Sequence, residues 1–102
     1  MAEFVEVARL EEVPPGQSTT VVVSGKNIAL FNVDGTVYAT DDTCLHAGGS
    51  LGAGKLEGKV ITCRLHGWRY NVTTGNTLNV PDYGVKSYPV NVADGKILVA
   101  VS

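Results

Sequence analysis

Four residues hold nearly all of this chain's capacity for metal or nucleophilic chemistry, and they come as two pairs of similar form. Cys44-Leu45-His46 is followed, after sixteen residues, by Cys63-Arg64-Leu65-His66, and these are the only two cysteines and two histidines among 102 residues. Taken singly, each cysteine reads as a small core residue and each histidine as incidental. Together they read as one ligand set, because both pairs sit in or beside glycine-containing segments rather than on periodic apolar faces. A cysteine nucleophile activated by histidine would use one pair and leave the other idle. Structural zinc is a stronger rival, since two sulfurs and two nitrogens complete a tetrahedral site. Zinc fingers usually place both cysteines before both histidines, whereas the order here alternates. Two loops that each offer one sulfur and one nitrogen suit a centre with two distinguishable irons, sulfurs on one and nitrogens on the other, with zinc as the alternative metal.

The elements that must position these loops read as all-β. Twelve glycines, few prolines and short runs of Val, Ile, Thr and Tyr bounded by turn residues favour strands over helix. Strands are expected at 4–8, 19–23, 26–33, 36–40, 59–62 and 69–72. Ser24-Gly25 and Asp34-Gly35 serve as tight hairpin turns. In the run 26–33 the two-residue period puts Ile28, Leu30 and Asn32 on one face and Ala29, Phe31 and Val33 on the other, so both faces are expected to be buried. The chain from Asp41 to Gly58 reads as an irregular loop, its Gly48–Gly54 portion poor in packing groups, and Asp41 and Asp42 read as turn caps. A closing hairpin, 85–92 with 96–101, is expected to turn at Ala93-Asp94-Gly95.

Size and charge narrow the function. A chain of 102 residues reads as a single domain that can bury roughly two-thirds of its unfolded surface without disulfides. Ten acidic against eight basic residues, with no Lys/Arg cluster, disfavour nucleic acid or an anionic membrane as partner. The acid-bearing start Met1-Ala2-Glu3-Phe4-Val5-Glu6 lacks a signal peptide's basic region, and no apolar run approaches the ~20 residues a membrane span takes. A cytoplasmic location is therefore expected, where reducing conditions favour metal binding over a disulfide.

The pattern Cys44-x-His46, sixteen residues, Cys63-x-x-His66 resembles the ligand signature of Rieske [2Fe-2S] proteins. His66-Gly67-Trp68-x-Tyr70, with Thr74-Gly75 after it, is similar to the second cluster loop of Rieske ferredoxins and oxygenase Rieske domains, and Pro81 resembles the proline of a third loop that covers the cluster. The resemblance spans nearly the whole chain. It implies a Rieske-like fold of small antiparallel sheets with a cluster-binding subdomain, its loops within about 41–83 of a single 1–102 domain. It further implies that Cys44 and Cys63 bind an inner iron as thiolates and that His46 and His66 bind the outer iron as neutral imidazoles. Leu45, Leu65, Trp68 and Pro81 would then form an apolar rim, or Leu45 and Trp68 would shield the cluster from water. Tyr70 would offer a hydroxyl to a cysteine sulfur.

Among Rieske roles, a terminal oxygenase needs a second iron with two further histidines, and both histidines here are committed. A respiratory subunit would bring a membrane anchor. What remains is a monomeric one-electron carrier that takes electrons from a flavoprotein ferredoxin reductase and passes them to a terminal oxygenase, by family analogy an aromatic ring-hydroxylating dioxygenase. The alternatives are the Rieske-like small subunit of a nitrite-reductase-type complex and a zinc-stabilised binding module.

High-potential respiratory relatives carry two cross-linking cysteines and a serine hydrogen-bonded to the cluster, and the matching positions here are Gly49, Leu65 and Trp68. Hydrogen bonds to sulfur stabilise the more negative reduced state, so their loss lowers the potential. Redox titration is expected to give a value in the lower half of the Rieske range of about −150 to +300 mV; a respiratory-type value would show that these three positions do not control it.

Overall fold

Strands rich in β-branched residues must find hydrogen-bond partners, and in the computed structural model they find them in three small antiparallel sheets. The structure describes residues 3–44, 49–64, 67–80 and 83–100. Within these the strands are β1 (Phe4–Arg9), β2 (Ser18–Val23), β3 (Lys26–Val33), β4 (Thr36–Asp41), β5 (Lys55–Glu57), β6 (Val60–Thr62), β7 (Arg69–Asn71), β8 (Ser87–Tyr88), β9 (Val90–Ala93) and β10 (Lys96–Ala100). The described helical content is one 3-10 turn at Leu10–Glu12. The sheets run in the orders β1-β10-β9, β2-β3-β4-β8 and β5-β6-β7.

The expected hairpins form. At Ser24-Gly25 and Asp34-Gly35 both central residues have positive φ, 50° and 79°, then 51° and 95°, the backbone twist that joins adjacent antiparallel strands with two residues. Two expectations need correction. Lys55–Glu57, read as loop, pairs with Val60–Thr62 as a short strand; three residues carry too little alternation to stand out. The run 85–92, read as one strand, divides into β8 and β9 in different sheets, because Pro89 has no N–H to continue a ladder.

β3 decides where the cores lie. Its Ile28 and Leu30 face one apolar cluster with Val13, Val23, Val37, Ala39, Tyr88, Ile97 and Val99. Its Ala29, Phe31 and Val33 face a second, with Leu51, Ile61, Tyr70, Val72, Val85 and both cysteines. The strand is thus a wall between two cores. Asn32 is buried without penalty, because its amide donates to the Val13 carbonyl (2.7 Å) and accepts from the Gly35 N–H (2.8 Å). A one-residue slip of β3 would exchange the two apolar sets, so its register with β2 and β4 is strongly specified.

The two-residue strand β8 is held to the end of β4 by the ladder pair Ala39↔Tyr88 and by the Tyr88 hydroxyl, which donates to the Asp41 carboxylate. Burial, then that hydrogen bond, then the carboxylate's charge push the phenol from 10.0 up to about 12. A pKa raised in the folded state contributes stability that is fully present below the unfolded value and is lost as pH rises through the folded one. Denaturant melts are therefore expected to lose stability between pH 10 and about 12. Tyr88→Phe should be less stable at neutral pH and flatter across that window.

Candidate metal centre

Both cysteines close their loops with the same hydrogen bond. After β4, Thr43 bridges Ser50 and the Cys44 N–H donates to the Gly49 carbonyl (2.8 Å). After β6, the Cys63 N–H donates to the Trp68 carbonyl (2.7 Å), while the Gly67 N–H returns to the Cys63 carbonyl (2.9 Å). Gly67 has φ 72°, a left-handed conformation that favours glycine in the turn into β7. In each loop, then, a cysteine amide reaches the carbonyl five residues on.

The two cysteines are each 1% exposed and belong to one apolar cluster with Phe31, Leu51, Ile61 and Tyr70. Tyr70, on β7 behind the second loop, places its hydroxyl 3.3 Å from the Cys44 sulfur. One loop's strand therefore touches the other loop's sulfur. Trp68 is half-buried and packs against the same cluster, which suits shielding. Leu45, His46, Leu65, His66 and Pro81 lie outside the described residues. Among the described residues no three His, Cys, Asp or Glu side chains converge on one point.

A third segment is tied to the second loop. Leu78 N–H and the Thr77 hydroxyl both donate to the Arg69 carbonyl (2.8 and 2.9 Å), and Arg69 N–H donates to the Asn79 side-chain oxygen (2.8 Å). Thr77 N–H donates to the Tyr83 carbonyl (2.8 Å), so Leu78 and Tyr83, 52% and 62% exposed, stand beside the strand that leaves Trp68.

At the base of the first loop Asp42 does far more than cap a turn. Only 5% exposed, it accepts on one carboxylate oxygen the Thr20 hydroxyl (2.9 Å), the Ser50 hydroxyl (2.9 Å) and the Gly52 N–H (2.8 Å). Ser18 adds a bond to the Gly52 carbonyl (2.9 Å). Leu51, in the stretch expected to be poor in packing groups, is fully buried in the cysteine-bearing core. Sequence reasoning missed Asp42, Thr20 and Ser50 as parts of the site; polar residues at alternate positions of β2, Ser18 and Thr20, were the available signal.

The donor chemistry fits a mixed-ligand iron–sulfur centre. Two sulfurs from two loops are buried in one apolar cluster, a hydroxyl sits at hydrogen-bond distance from one of them, and the sequence places one histidine within each loop. The chain belongs to the Rieske [2Fe-2S] domain family, whose model matches residues 3–89. The group proper to that class is a [2Fe-2S] cluster. Over 101 residues the chain is 37% identical to the ferredoxin component of the naphthalene 1,2-dioxygenase system of Pseudomonas aeruginosa, covering 98% of this chain and 97% of that protein. It superimposes on a chain from the complex of reduced oxygenase and oxidized ferredoxin in carbazole 1,9a-dioxygenase with a TM-score of 0.86 at 34% identity, covering 95% and 92%. A putative nitrite reductase (NADPH) small subunit shares the fold alone, at 22% identity and a TM-score of 0.84, with 97% and 99% covered.

If the Tyr70 hydroxyl donates to the Cys44 sulfur, its loss removes a stabiliser of the reduced state. Tyr70→Phe is expected to lower the reduction potential by about 40 mV, the one-electron equivalent of the ~1 kcal/mol net worth of a hydrogen bond. Spectroelectrochemical titration of the two proteins checks this; an unchanged or raised potential would remove Tyr70 from the tuning of the centre.

Proposed function

We propose that the chain is the one-electron carrier of a multicomponent aromatic ring-hydroxylating dioxygenase system, receiving electrons from a flavoprotein reductase and delivering them to a terminal oxygenase. One observation carries this reading: the match to a dioxygenase ferredoxin component runs end to end, over 98% of this chain and 97% of that one. The bound [2Fe-2S] group supplies a reversible one-electron couple. Cys44 and Cys63 would hold the inner iron, and His46 and His66 the outer.

The protein's own residues then do three things. The two loop-closing amide bonds fix the cysteines so that little rearrangement accompanies a change of charge. Tyr70, Leu51 and Phe31 keep water from the sulfurs. The exposed Leu78 and Tyr83, beside the strand that leaves Trp68, add apolar surface for a partner to that expected of Leu45, Leu65, Trp68 and Pro81. A carrier must release each partner, which calls for a small interface and weak binding. Residues 1–102 form one Rieske domain in this reading, acting as a monomer in the cytoplasm; no helix among the described residues is long and apolar enough to cross a membrane.

The test mixes the reduced holoprotein with the oxidised terminal oxygenase of a naphthalene dioxygenase system in a stopped-flow spectrometer. Loss of the reduced spectrum at a rate that saturates with oxygenase is expected, and Cys63→Ser, unable to hold the centre, should show none. Purification of a colourless protein with one zinc per chain, or a fully loaded one that no aromatic-ring oxygenase can reoxidise, would overturn the proposal.

A further inference from the structure

The first cysteine loop is held to the four-stranded sheet by a polar latch whose centre is Asp42. Three donors from three places converge on a single oxygen: Thr20 from β2, Ser50 from the returning side of the loop, and the backbone N–H of Gly52. The main chain of the same residue takes part, since the Asp42 N–H donates to the Asn27 carbonyl (3.0 Å) and its carbonyl accepts from Leu51 (2.7 Å). The fit is close. A Cβ on Gly52 would lie 2.2 Å from the Thr20 hydroxyl oxygen and 2.7 Å from the Thr19 carbonyl oxygen, so only glycine lets the loop reach β2.

The latch spans the two ends of the loop that carries Cys44. Asp42 stands two residues before the cysteine, Ser50 one residue after the Gly49 that closes it, and Leu51 plugs the core that holds both cysteines. A buried carboxylate with three donors is costly to disturb, because removing it leaves the buried Gly52 N–H without its acceptor and frees the two hydroxyls that tie the loop to β2.

We propose that Asp42 is a positioning residue for the iron–sulfur centre: by pinning segment 50–52 to β2 it sets where the Cys44 sulfur stands and how tightly the loop stays shut. The proposal rests on Cys44 being a ligand. Groups that orient metal ligands from behind commonly contribute ten- to hundredfold to metal retention, and the same scale is expected here.

The experiment follows iron release from the holoprotein to a colorimetric ferrous chelator, with the visible spectrum and thermal unfolding recorded in parallel. Asp42→Ala is expected to release iron at least tenfold faster than the native protein. Asp42→Asn keeps an acceptor oxygen for the same three donors and should restore retention to within about threefold. Thr20→Val, which removes one donor and leaves the carboxylate, should fall between, and it carries the test should Asp42→Ala not fold. Val99→Ala, in the other core, lowers global stability without touching the loop and should release iron at the native rate. Native release from both Asp42→Ala and Thr20→Val, or equal lability of Asp42→Asn and Asp42→Ala, would overturn the proposal; so would release that tracks unfolding temperature across all variants. A native protein without iron and acid-labile sulfide would instead overturn the functional reading beneath it.

Discussion

A buried cysteine whose backbone leaves regular pairing must still find an acceptor for its N–H, and at both cysteines of this chain one hydrogen bond meets that demand while the shared apolar cluster covers the sulfur. Cys44 and Cys63 each spend their N–H on the carbonyl five residues ahead, Gly49 in one loop and Trp68 in the other. That bond satisfies a buried donor at the point where each strand-like ladder ends. In each loop the bond spans four intervening residues, one of them a histidine. The two loops thereby acquire matching bases although their sequences differ, one rich in glycine and the other carrying Arg64 and Trp68.

The loops could not be brought together by local bonds alone. β3 is the shared boundary of two cores, and only one of them, walled by Ala29, Phe31 and Val33, takes in the cysteines. The other, centred on Ile28, Leu30, Ile97 and Val99, joins two sheets and includes neither cysteine. Chemistry and bulk stability are thus assigned to opposite faces of the same strand. A change of charge in one core need not strain the packing of the other.

Much of this was legible beforehand because it follows from short-range rules. The period-two alternation of 26–33 placed its side chains on the correct faces, and Ser24-Gly25 and Asp34-Gly35 marked turns whose positive φ values the structure bears out. The paired Cys/His spacing pointed to the family. The failures have different causes. Leu51 is buried by contacts with distant segments, which local alternation does not encode, while Lys55–Glu57 is too short for its alternation to register and Pro89 was passed over as a ladder break. Asp42 read as a turn cap because its three donors lie 8, 10 and 22 residues away.

The two loops differ in how they are held, and the difference follows from where each leaves its sheet. The second loop is the tip of the β6–β7 hairpin, so the ladder pair Thr62↔Arg69 supports it from both sides and Tyr70 follows inside the core. The first loop joins strands of different sheets, β4 and β5, and among the described residues its base is paired by the isolated bridge Thr43↔Ser50 and the Leu51 N–H bond to the Asp42 carbonyl rather than by a strand ladder. A loop without a ladder must borrow rigidity from side chains. Ser18, Thr20, Asp42 and Ser50 provide such side-chain bonds at this base, with the buried Asp42 carboxylate at their centre. Tyr70 completes the arrangement by reaching from the self-supporting hairpin to the sulfur of the loop that needs support.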